Sequence, residues 1–208
     1  PYTTVINNTG PEAGFAATVY PDTPTTIDFG AGQLGERNVF QALGATRDFL
    51  LGTDPDLVFA NRHMTVIVNA GVPCQAWWNP GEITMRLTGN GCNSMAEVQQ
   101  VVIHEFGHGL NSTLLRGQQG QEGLSEGNPD VLACFVSRLH ELGVGVPEND
   151  CVTVHRDALN SLRYPEDVID QGSHYAGMVI SGFHWDSMVL LQAALGDGEL
   201  EAAPWQVV

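Results

Sequence analysis

The apolar residues of this chain change period near residue 93, and the change divides it. Before that point short β-branched or alternating apolar runs, Tyr2 to Val5, Ala16 to Tyr20 and Met64 to Val68, are separated by Pro and Gly clusters such as Pro21-Asp22-Thr23-Pro24. This pattern predicts strands joined by loops. One stretch departs from it: Val39, Phe40, Leu43, Phe49 and Leu50 recur at helical spacing within 38–51, with Arg47 and Asp48 on the polar side. The run from Cys74 to Leu87 predicts two strands around an Asn79-Pro80-Gly81 turn. The adjacent Trp77 and Trp78 then face opposite sides of a strand, one towards a core and the other beside a groove.

From Ser94 onward the period is helical. Ser94 and Glu97 have the spacing of a capping box, and the helix they open runs through Val98, Val101, Val102 and Ile103 until the glycines at 107 and 109 end it. A second helix is expected over 125–142, with Val131, Leu132, Phe135, Val136 and Leu139 inward. A third is expected over 152–162, broken by Tyr164-Pro165, and a last one over 177–195. The fold class is therefore α+β. A β-rich lobe over 1–93, a central helix over 94–111 and a helical lobe over 112–208 make one domain, without internal repeats.

The central helix ends in His104-Glu105-Phe106-Gly107-His108. Positions i and i+4 share a helix face, so His104 and His108 can direct imidazole nitrogens at one metal ion, and Glu105 sits beside that ion free to take a proton from water. A catalytic zinc needs a third protein ligand and an open fourth position. The metzincin solution is absent, because Asn111 and Leu114 stand where a Gly and a third His would follow. Glu126 is the best candidate, 18 residues beyond His108, with Asp130 one turn on and able to accept a hydrogen bond from a ligating imidazole. Acidic residues in a first helical turn also complement the helix dipole without any metal.

Composition narrows the classes. Eight Lys plus Arg, all of them Arg, oppose 24 Asp plus Glu for a net charge of −16, which disfavours nucleic acid as a partner. Apolar runs such as Met64 to Val72 and Met188 to Leu195 are too short to span a bilayer. With no initiator Met and no basic-then-apolar leader, any export signal or pro-segment is expected to have been removed, leaving a monomeric piece excised from a larger precursor. Cys74 with Cys92 and Cys134 with Cys151 read as two local disulfides of a secreted protein. Asn7-Asn8-Thr9 and Asn111-Ser112-Thr113 have the form of glycosylation sequons. Some carboxylates are candidates for calcium, although no EF-hand loop is present. His63, His140 and His155 read as ordinary histidines.

The run His104 to Leu110, followed by Gly123-Leu124-Ser125-Glu126-Gly127-Asn128-Pro129-Asp130, resembles the H-E-x-x-H-G-[LI] and G-x-x-E-G-x-x-D motifs of the fungalysin family, thermolysin relatives among the gluzincins. Upstream, Cys74 to Asn79 is similar to that family's N-A-[FW]-[WY] edge strand. Downstream, His174 to Gly182 is similar to an H-x-x-G segment whose His assists catalysis. The resemblance covers roughly 73–190.

It implies a zincin-type secreted endopeptidase, with the central helix crossing a cleft between the two lobes and a peptide or protein as substrate. His104, His108 and Glu126 would hold zinc, Glu105 would be the general base, and Asp130 would orient a ligand. His174 would steady the oxyanion, with Asp170 orienting it and Tyr175 as an alternative. Gln75, Ala76 and Trp77 would hold the substrate by strand addition. The chain departs from the pattern at Pro129, at Gln75 where relatives have Asn, and in lacking a Tyr between His108 and Glu126. A zinc-stabilised binding module, or a zinc hydrolase acting on another amide or an ester, are the alternative readings.

Overall fold

The computed structural model describes residues 2–10, 34–117, 122–150 and 152–195. Strand β1 (Thr3–Asn7), helix α1 (Leu34–Thr53) and strand β2 (Met64–Ala70) form a crossover unit with β1 and β2 parallel. Strands β3 (Ala76–Asn79) and β4 (Glu82–Arg86) make the expected hairpin, whose turn follows Pro80 with Gly81 at a φ of 84°. β4 runs parallel to β2, so the sheet order is β1-β2-β4-β3. β3 is an edge strand, with one partner among the described residues.

The inner strand β2 alternates as its sequence requires. Met64, Val66 and Val68 are buried against Val39 and Leu43 of α1 and Ile83 and Met85 of β4. Helix α2 (Gln99–Leu114) adds Val102, Ile103 and Phe106 to the same core, all without exposed surface. Each such large side chain contributes about 1.5–3 kcal/mol on burial. The polar residues between them on α2 are thus held inside the protein by their apolar neighbours.

Both ends of α2 differ from expectation. Met95–Glu97 is a single 3₁₀ turn and α2 begins only after Val98, because Ser94 does not cap it. The Ser94 hydroxyl reaches the Arg86 carbonyl at 3.3 Å and the Asn69 side chain at 3.4 Å, tying the helix start to the sheet. The helix then continues through both glycines to Leu114. A Cβ at position 107 would lie 2.8 Å from the Cα of Pro129, and one at 109 would strike the rings of Trp78 and Phe59. These glycines permit close approach; they do not stop the helix.

Helix α3 (Glu122–Ser137) starts and ends before the expected 125–142, which puts Pro129 inside the helix and not in its first turn. Pro129 is the residue that meets Gly107. A two-stranded pair, β5 (Glu141–Leu142) and β6 (Arg156–Asp157), follows, and the helix expected over 152–162 does not form. Its polar residues close local turns instead: Asp150 accepts from the amides of Val152 and Thr153, Asp157 from Leu159 and Asn160 from Leu162. Helix α4 (Ser173–Leu195) begins four residues earlier than position 177 and so includes His174. It crosses α3 where Gly127 and Gly177 meet: a Cβ at 177 would stand 2.7 Å from the Gly127 amide nitrogen.

One of the two expected disulfides is present, Cys74–Cys92, while Cys134 is a buried free thiol and Cys151 lies outside the described residues. The strand expected over 16–20 lies outside them as well. Both sequon asparagines are buried, Asn7 at 7% and Asn111 at 5% exposure. No described helix is long and apolar enough to cross a membrane.

Gly107→Ala is expected to destabilise the protein by about 1–3 kcal/mol through overpacking against Pro129. Gly44→Ala in α1, where a new methyl meets nothing within 4 Å, should stabilise it by up to about 1 kcal/mol. Urea unfolding of the two variants checks this; equal shifts would contradict it.

Candidate active site

Three helices bring one cluster together. α2 carries His104, Glu105 and His108, with the two imidazole rings 4.7 Å apart between centroids and nearly perpendicular. α3 supplies Glu126, whose Oε2 lies 3.2 Å from His104 Nε2 and 3.7 Å from His108 Nε2. α4 supplies His174, whose Nε2 is also 3.2 Å from that oxygen. Yet this buried Oε2 makes no hydrogen bond of good geometry to any of them. A carboxylate oxygen and three ring nitrogens gathered this closely make a donor set suited to a cation.

The orientation of His104 has a cause. Its Nδ1 lies 2.7 Å from Oδ1 of Asp130, which is wholly buried, so Nδ1 carries a proton and Nε2 is the nitrogen turned into the cluster. Asp130 is held in turn by a residue the sequence reading passed over. Arg156 of β6 donates from Nε to Oδ2 and from Nη2 to Oδ1 of Asp130, both at 2.8 Å. Its one sequence signal is scarcity, as one of only eight cationic side chains in an acidic protein.

Burial opposes ionisation of Asp130, but His104 and Arg156 outweigh it and hold the carboxyl at about 2. Burial likewise opposes a charged His104, and Asp130 and Glu126 overcome it, raising the imidazole to about 9 in the protein alone. His108 is driven down to about 4, first by burial and then by the charge on His104, which keeps its lone pair free. Glu126 stays below the usual carboxylate range: burial pushes it up, and the close approach of His104 at 3.2 Å, with its charge, more than reverses that. Glu105 moves the other way. Burial raises it to about 7, against the charges of His104 and Arg156 and a backbone hydrogen bond from Trp78. A carboxyl group tuned near neutrality beside a cation cluster suits proton exchange with water.

The remaining expected residues divide. Gln75 and Ala76 line a cavity of about 400 Å³ together with His104, Glu105, Arg156 and His174, and His155 lies in that wall too. Trp77 turns away, with Arg86 stacked over its ring at 4.1 Å, while Trp78 packs against the core. Tyr175 is 40% exposed and does not line the cavity. Asp170 lies exposed on the wall of a different cavity, beside Tyr164 and Ile169, and no hydrogen bond or ion pair links it to His174. It sits in a turn at a φ of 62° just before α4, which carries its carboxyl away from the cluster.

These residues offer a ligand set that fits a zinc ion: the imidazoles of His104 and His108 lie 3.2 and 3.7 Å from the Glu126 carboxylate, with His174 at the rim, and metal binding would displace the second proton that His104 carries in the protein alone. Among the described residues two groupings could hold a metal, His104 with Glu126 and His174, and His104 with Glu105 and His108; they share His104, and the expectation of calcium finds no support. The chain is similar in structure to the precursor of protealysin, a metalloproteinase from Serratia proteamaculans. The fold resembles that of a metalloproteinase precursor. The match has a TM-score of 0.56, covers 90% of this chain and 69% of that one, and has 16% sequence identity, a likeness of fold. No family model matches the chain, and no curated protein matches it in sequence.

Because the Asp130 carboxyl sits below its ordinary 3.8, the stability it contributes is complete above about pH 4 and is lost as the pH falls towards 2. In chelator-treated protein, wild type should lose roughly 2 kcal/mol more than Asp130→Asn between pH 5 and pH 2. Urea unfolding at several pH values measures it, and parallel curves would contradict the assignment.

Proposed function

We propose that the chain is the catalytic domain of a secreted zinc endopeptidase of the fungalysin-like gluzincin kind. The observation that carries the reading is the gathering of three imidazole nitrogens within 3.7 Å of one buried Glu126 oxygen, with Glu105 beside them on a cavity wall. His104, His108 and Glu126 would hold zinc, and Asp130, itself clamped by Arg156, would hold His104 in the ligating tautomer. A zinc ion bound there supplies Lewis acidity, which makes water acidic near neutral pH and polarises a carbonyl.

The protein's own groups do the rest. Glu105 takes the proton of the attacking water, holds it in a buried carboxyl that favours protonation, and gives it to the departing amine. The proton thus moves from water to the leaving group through a single side chain. His174, at the cluster edge, donates to the oxygen that gains charge as the carbonyl carbon becomes tetrahedral. The free edge of β3 offers backbone groups to an extended peptide, placing a side chain in the cavity beside Gln75 and Ala76. The Cys74–Cys92 disulfide closes one wall of that cavity and accords with export.

A second reading has one observation in its favour: His174 approaches Glu126 as closely as His104 does. Were His174 a fourth ligand, the site would be closed and the zinc structural. Glu105 argues against this, since a closed structural site has no use for a carboxyl held beside it on a cavity wall.

Glu105→Gln should retain one zinc per chain and lose about 10²–10⁴ in kcat on an unfolded protein such as casein. Glu126→Ala should lose the zinc along with the activity. Metal analysis by mass spectrometry beside a cleavage assay decides it; wild-type turnover by either variant would refute the roles.

A further inference from the structure

A second cavity, of about 490 Å³, lies where the C-terminal end of α2 meets the β3–β4 turn. Arg62, His63 and Arg116 line it together with the hydroxyl-bearing Ser112 and Thr113, and no Asp or Glu lines it among the described residues. In a chain with 24 Asp plus Glu this is unusual placement. Arg47, Arg156 and Arg163 each sit within 4 Å of an aspartate, and Arg62 and Arg116, like Arg37, Arg86 and Arg138, have no ion pair with a described carboxylate. The Arg62 guanidinium lies over the Phe59 ring, 5.9 Å from its centroid, which limits how far it can swing. Trp78 lines the cavity too, with its indole Nε1 turned against Gly109. Two permanent cations therefore face a space without a counter-charge.

The cavity is joined to the candidate active site by two elements. β3 has Ala76 at the first cavity and Trp78 at the second. α2 places Glu105 at the first and Thr113 at the second, eight residues and so about 12 Å along the helix. An extended peptide covers that distance in three to four residues at about 3.3 Å each. We propose that this cavity recognises a carboxylate side chain of the peptide substrate, three or four residues from the scissile bond on the side that runs towards Trp78. The proposal rests on the peptidase reading and adds a substrate class to it: peptides with an acidic residue at that distance. Selection of acidic peptides by an acidic protein needs such a local exception to its field, and the two arginines provide it.

The test uses acetylated and amidated peptides, so that chain termini carry no charge, with one Glu, Gln or Lys moved through positions two to five on either side of the cleaved bond. In the zinc-loaded wild type, Glu should exceed Gln in kcat/KM by roughly five- to tenfold at one of those positions. The preference should shrink in high salt, as it would for a partly exposed ion pair. In R62Q/R116Q the Glu-to-Gln ratio should fall to about one, and in R62E/R116E it should invert in favour of Lys. Ratios are taken within each protein, so partial misfolding of a variant cancels. A ratio near one at every position in wild type, or one unaltered by R62Q/R116Q, overturns the proposal.

Calorimetric binding of the same peptides to Glu105→Gln separates the two claims. Arginine-dependent preference for Glu in binding, with no peptide cleaved by wild type, would keep the anion site and sink the peptidase reading. Cleavage without any such preference would do the reverse.

Discussion

The candidate site depends on one carboxylate that has no contact with water. Asp130 on α3 is fully buried, and a lone charge there would cost several kcal/mol. It is tolerated because His104 of α2 and the bidentate Arg156 of β6 meet it from two other elements. The same bonds that make the burial possible also place a proton on Nδ1 of His104 and turn its Nε2 into the cluster. Stability and chemistry are thus coupled at a single residue. Loosening the Asp130 clamp would cost folding energy and would also disorganise the cluster.

The helices reach the distances this clamp requires because small residues stand at their crossings. Gly107 lets α2 approach the backbone of Pro129, and Gly127 against Gly177 lets α4 approach α3. The second crossing carries His174 to within 3.2 Å of Glu126. A methyl group at either crossing would push apart the elements that hold the ligating atoms. The arrangement is therefore a packing solution first and a candidate metal site as its consequence.

The motif residues were legible in the sequence because their meaning is local: i and i+4 on a helix fix His104, Glu105 and His108 whatever the rest of the chain does. Glu126 and Asp130 were legible through their own spacing on α3. The hairpin over 74–87 and the helix near 38–51 were clear from turn chemistry and period. What escaped depended on tertiary contacts. Gly107 and Gly109 look like helix terminators until Pro129, Trp78 and Phe59 are seen against them. Arg156 looks like any surface cation until buried Asp130 demands it. The supposed helix over 152–162 gave way to Asp150, Asp157 and Asn160, whose short side chains satisfy the backbone locally. Asp170 was assigned through the family resemblance, and the turn before α4 carries it to the wall of another cavity.

The central claim is that His104, His108 and Glu126 hold one zinc while a fourth position stays open to solvent. A crystal structure of the zinc-loaded protein, with the ion located by its anomalous scattering, tests it directly. The account predicts one ion at this cluster, bonded to those three side chains and to one exchangeable solvent molecule, with His174 nearby and unbonded. An ion closed by His174 as a fourth protein ligand, or no ion at this cluster at full zinc loading, would contradict it.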